Sequence, residues 1–73
     1  MERIVIHTAD IQLDQLLKLC GAVETGGAVK PLLIEGRIFV NGAAETARRK
    51  KIFPGDVVTL ETDDGKFEYQ VSR

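Results

Sequence analysis

The chain is short of the groups that catalysis and metal binding use most. Its 73 residues include one cysteine, one histidine, one serine and no tryptophan. Cys20 by itself allows no intramolecular disulfide, and a lone thiol fits a reducing, cytoplasmic setting. Cys20 and His7 are too few for a Cys/His metal site. Ser72 sits at the far end of the chain, so neither a Ser–His nor a Cys–His couple is expected. We therefore expect no enzymatic activity, no cofactor and no metal. No apolar run approaches the roughly 18 residues that cross a bilayer. The opening "MERIVIHTAD" alternates instead of building the apolar core of a signal peptide, so neither export nor membrane association is expected. With two prolines and seven glycines, there is no low-complexity tract and no linker.

What is present suits one small folded unit. A hydrophobic content of 44 % argues against disorder. A chain of this size buries only roughly 60 % of its unfolded surface, so its core must be tightly patterned. We read residues 1–73 as a single domain. Residues 3–7, "RIVIH", alternate as a short strand. Asp10 is placed to cap a first helix whose apolar positions Leu13, Leu16, Leu17 and Cys20 share one face and which Gly21 stops. Thr25 opens a second helix, starting near Ala28 so that Pro31 stays close to the first turn, with Val29, Leu32, Leu33 and Ala28 inward and Gly36 at its end.

After Gly36 the period changes to two. Ile38 and Val40 point one way and Phe39 the other, and Asn41-Gly42 supplies a tight primed turn leading to a returning strand at 43–46. "PGD" at 54–56 is turn chemistry. "VVTLET" and "KFEYQV", joined by Asp63-Asp64-Gly65, read as a second hairpin. The fold class is α+β: two short N-terminal helices packed on a small, mostly antiparallel sheet of hairpins. Phe39, Phe53, Phe67 and Tyr69 are expected to pack in the core, Phe39 fitting that least well. Cys20 reads as a small buried hydrophobe, and His7 as a residue on the surface of the first strand.

The unusual feature is electrostatic. Arg48, Arg49, Lys50 and Lys51 follow one another in a chain whose formal net charge is only -1. Residues 12–53 hold seven Lys/Arg against four acids, whereas residues 61–73 hold two against four. The neutral total therefore conceals two regions of opposite sign, and a polyanion responds to local potential, not to the sum. Lys18, on the exposed side of the first helix, and Lys30, just inside the second, would extend the charge if the helices lie beside the hairpin. Arg37 would join them, although Arg37 and Lys51 could instead pair with Glu35 or Glu45. A basic run is also an ordinary way to keep strand edges soluble.

Residues 12–42, "QLDQLLKLCGAVETGGAVKPLLIEGRIFVNG", resemble the S4-like RNA-binding domain, the alpha-L motif. Leu13, Asp14, Leu17, Gly21, Leu33, Gly36, Ile38, Val40, Asn41 and Gly42 fall on the family's pattern without a gap, and "PGD" matches its later turn. The resemblance covers about residues 11–58. It departs where RNA would be touched: Gln12 replaces an arginine, and Thr25-Gly26-Gly27 replaces a Ser-Arg pair. "TGG" with "RRKK" is similar to the small stand-alone bacterial YbcJ/YaaA-type branch.

Binding of structured RNA is expected, because aromatics that pack in the core leave no platform for stacking splayed bases. The resemblance implies ribosomal RNA or tRNA as the target, with no attached catalytic domain. Arg48, Arg49, Lys50 and Lys51 would carry the attraction, extended by Lys18, Lys30 and Arg37. Gln12 would add a hydrogen bond, Thr25 a helix cap, and the uncovered N–H groups of Gly26 and Gly27 a phosphate contact. The ribosome or a ribosomal precursor is the expected partner, with the protein a monomer. The alternative is an adaptor that docks an acidic protein through the same loop. A ubiquitin-like sulfur carrier would need a Gly-Gly tail where this chain reads "QVSR".

Overall fold

A computed structural model describes residues 1–73. In order, the elements are β1 (Glu2–Val5), β2 (Ile11–Gln12), α1 (Leu13–Leu19), a 3-10 turn (Gly26–Ala28), α2 (Val29–Ile34), β3 (Ile38–Val40), β4 (Ala43–Ala44), β5 (Lys51–Ile52), β6 (Val57–Thr62) and β7 (Gly65–Ser72). The main sheet runs β1-β7-β6-β3-β4, and β2 pairs with β5 in a separate two-stranded ribbon. Every pairing is antiparallel except β1 with β7. The fold is thus the expected α+β arrangement. No helix is long and apolar enough to cross a membrane.

Helices of seven and six residues are far too short to persist by themselves in water. Burial holds them. Leu13, Leu16 and Leu17 of α1 and Val29 of α2 are fully enclosed, with Leu33 nearly so, against Ile38, Val58 and Val71 of the sheet. Each such side chain contributes about 1.5–3 kcal/mol on leaving water. Cys20 and Leu32 are partly buried against this core. Ala28, read as inward, is exposed because it closes the 3-10 turn ahead of α2. Pro31 is the third residue of α2, where its missing N–H costs nothing. α1 ends as Ala22 N–H donates to the Leu17 carbonyl at 2.9 Å and Gly21 N–H to the Lys18 carbonyl at 3.1 Å.

Two expectations about caps are corrected. Asp10 does not cap α1: Gln12 occupies that position and offers no side-chain hydrogen bond. The caps come from far along the chain, as described below. Thr25 stands at the start of the 3-10 turn, but its side chain makes no cap either; its carbonyl accepts Ala28 N–H at 3.1 Å.

The Asn41-Gly42 turn is as read. Both residues have positive φ, 51° and 86°, and Val40 pairs with Ala43 across a two-residue primed loop. Residues 53–56 form a second tight turn: Asp56 N–H donates to the Phe53 carbonyl at 3.0 Å, with Gly55 at φ 98° after Pro54. The aromatic expectation holds for Tyr69, which is buried, but Phe53 and Phe67 are exposed and Phe39 is half-buried. Phe53 follows the fully buried Ile52, so strand alternation turns it outward.

Candidate nucleic-acid interface

The basic run is bolted to the first helix by its own backbone. Leu13 N–H donates to the Lys50 carbonyl at 2.8 Å, and Asp14 N–H to the Arg48 carbonyl at 3.1 Å. Gln15 N–H closes on the Asp14 carboxylate at 2.9 Å. The loop's carbonyls thereby satisfy N–H groups that a helix start leaves without partners. β5 adds the pairing of Gln12 with Lys51 and of Ile11 with Ile52. Ile52 points into the core, whereas Gln12 and Lys51 lie together on the exposed face.

The far end of the loop is clamped as well. Asn41 Nδ2 donates to Asp56 Oδ1 at 3.0 Å, and Asn41 Oδ1 accepts Val57 N–H at 2.9 Å. Asp56 Oδ2 accepts Phe53 N–H at 2.8 Å. One amide and one carboxylate thus tie the Asn41-Gly42 turn to the Pro54-Gly55 turn. The cations sit on a segment fixed at both ends.

They do not all face the same way. Arg49, Lys50 and Lys51 are exposed and have no carboxylate oxygen within 4.0 Å. Arg48 is turned inward, its Nε 3.7 Å from Oδ2 of Asp14, whose side chain is only 8 % exposed. The reading of four cations projecting together is therefore reduced to three, because Asp14 in the first turn of α1 engages the fourth. The same Asp14 carboxylate lies beside Gly26, where a side-chain Cβ would come within 3.5 Å of Oδ2. A phosphate approaching Gly26 would meet that negative charge, although the N–H groups of Gly26 and Gly27 form no hydrogen bond within the chain.

Lys30 shares an open groove of about 580 Å³ with Leu33, Ile34, Thr46 and Arg48, so α2 does lie beside the loop. A second groove, about 290 Å³, runs along the other side of the loop and is lined by Lys50, Lys51, Phe53 and residues of the two clamped turns. Lys18 is exposed but belongs to the last turn of α1, about 7.5 Å along the axis from the end that carries the loop. Arg37 is spoken for. Its Nε donates to Glu35 Oε1 at 2.9 Å and its Nη1 is 3.6 Å from Asp63 Oδ1, and the Glu35 hydrogen bond followed by the two carboxylate charges holds its guanidinium pKa above the usual arginine value.

The family pattern described as the S4 domain matches residues 4–71. The chain belongs to the S4 domain family. It is 40 % identical over 58 residues, 80 % of this chain and 82 % of the other, to a Bacillus subtilis (strain 168) protein named "Probable ribosome maturation protein RlbA". It is 43 % identical over 50 residues, 68 % of this chain and 71 % of the other, to "Putative RNA-binding protein YbcJ" of Escherichia coli (strain K12).

Within this S4 domain, the residues that carry the family pattern have visible physical work. Asn41 and Gly42 make the primed turn, Asn41 and Asp56 make the clamp, and Asp14 anchors Arg48. Sequence reading overlooked the Asn41–Asp56 and Asp14–Arg48 partnerships. Signals were available: an aspartate beside the buried stripe Leu13, Leu16 and Leu17, and one closing a Pro-Gly turn, are each placed to accept backbone N–H groups. Nothing in local sequence says which distant residue each would meet.

Proposed function

We propose that this S4-domain protein binds structured RNA through phosphate contacts made by Arg49, Lys50 and Lys51, with Lys30 at the flank and Gln12 donating a hydrogen bond beside Lys51. The observation that carries the reading is three exposed cations, without carboxylate partners, on a segment anchored to α1 and to the two turns. Because the backbone beneath these cations is already held in position, only side-chain ordering remains as a conformational cost on meeting a phosphate chain, so more of the electrostatic attraction appears as affinity. Arg48 joins only where RNA competes with Asp14. Arg37 and Lys18 are not part of this surface. The names of the relatives support RNA as the polyanion and ribosomal RNA, in a maturing particle, as the target class. No chemistry beyond binding is proposed.

The test is a titration of a labelled RNA hairpin at several salt concentrations. Three phosphate contacts predict a log–log slope of about -2 to -3. Replacing Arg49, Lys50 and Lys51 together with glutamine should flatten that slope towards zero. Hairpin binding that survives the replacement would remove the proposed surface and leave the loop as a dock for an acidic protein.

A further inference from the structure

Phe53 is 49 % exposed although the residue before it is fully enclosed, and it lies in an open groove whose other apolar residues are Val40, Ala43 and Ala44. Its backbone is nevertheless held tightly, by Asp56 through both its N–H and its carbonyl and by Gly55 N–H donating to the Val71 carbonyl at 2.8 Å. Strand alternation puts it on the same side as Lys51, and it lines one groove with Lys50 and Lys51. We infer that Phe53 is a stacking platform for an unpaired RNA base, with the flanking phosphates on Lys50 and Lys51. This rests on the RNA-binding reading above and narrows its target from a plain duplex to structured RNA that offers an unpaired nucleotide.

The charge pattern inside the groove supports a base there and a phosphate at its rim. Glu45 and Asp56 also line it. Glu45 Oε2 accepts the N–H groups of Thr46 and Ala47 at 3.0 Å each, and both Asp56 oxygens have donors. Two carboxylates would repel a phosphate, yet their remaining lone pairs can accept hydrogen bonds from the exocyclic amino group of a neutral base. Every base presents a π-face, so the platform needs no sequence preference. Phe67 is comparably exposed but has a single cation beside it, Lys66, set against Glu2 and Glu68 in the same pocket, whereas Phe53 has both Lys50 and Lys51.

The experiment compares one hairpin fully paired with the same hairpin carrying a single bulged 5-iodocytidine, whose exocyclic amino group can meet the groove carboxylates. Wild-type protein should bind the bulged RNA about tenfold more tightly, and irradiation should cross-link the bulge to Phe53. Phe53→Leu should abolish the preference and leave affinity for the paired hairpin unchanged, whereas Phe53→Trp should retain it. Equal wild-type affinity for the two RNAs, or a cross-link that maps elsewhere, overturns the inference; because both are read on wild-type protein, they decide even if Phe53→Leu folds poorly. A Phe53→Leu protein that melts like wild type but weakens both RNAs equally also overturns it. Failure of wild type to bind either hairpin would instead remove the RNA-binding reading, and this one with it.

Discussion

The two ends of strands β3 and β6 treat their charges in opposite ways. At the end that holds the Asn41-Gly42 turn and the 48–51 loop, Arg49, Lys50 and Lys51 stand without acidic partners. At the other end, around the Asp63-Asp64 turn, the one nearby arginine, Arg37, is shared between Glu35 and Asp63. Six residues of β6 separate the ends by about 20 Å, more than twice the screening length of about 8 Å at physiological ionic strength. The acids therefore do not cancel the basic field where a polyanion would arrive. Counting charge along the sequence finds both groups of residues. Only pairing shows that Arg37 is spent and Lys50 is not.

The largest effect should come from the basic end. Replacing Arg49, Lys50 and Lys51 with glutamine should cost about a hundredfold in affinity for an RNA hairpin at low salt, while Arg37→Gln should stay within about twofold by the same binding assay. An equal loss in the two proteins would break the comparison.

Next is the clamp. Asn41→Ala removes the link to Asp56 and Val57 and leaves a side chain less suited to φ 51°. It should cost roughly 2 kcal/mol, a fall in melting temperature of about 8–16 °C, with RNA affinity falling as the loop loosens.

Asp14→Asn sharpens the comparison in a different way. It frees Arg48 to join the exposed cations, so hairpin affinity should rise a few-fold. Stability should fall by roughly 1 kcal/mol, discounted because Arg48 is partly solvated. Thermal melting and the same titration read the two opposing changes.

The smallest effect is alkaline. Burial raises the Cys20 thiol above its ordinary value of 9.0, and burial followed by the nearby Cys20 raises Tyr69 above 10.0. A raised folded pKa means the unfolded chain gives up its proton first. The associated stability is complete below pH 9 and is lost as pH rises through the folded values. Melting temperature should accordingly be flat from pH 7 to 8.5 and decline above about pH 9, and Cys20→Ala should reduce that decline.

Much of the fold was legible because its signals are local. Leu13, Leu16 and Leu17 repeat at helical spacing, Ile38 and Val40 alternate, and Asn41-Gly42 carries a turn almost without regard to context. Asp10 failed as a cap because β2 intervenes and carbonyls from residues 48 and 50 reach the helix first. Phe53 failed as a core residue because neighbouring Ile52, one step along an alternating strand, takes the inward place.

Composition and periodicity by themselves determined the α+β class, the hairpin turns, the buried stripe of α1 and the cluster of cations, since each depends on residues within a few positions of one another. Tertiary structure alone decided which cations are available. Arg48 lies 34 residues from Asp14 in the chain and Arg37 lies 26 from Asp63, and whether a charge is neutralised depends on distances of 3–4 Å in space that only the closed fold creates.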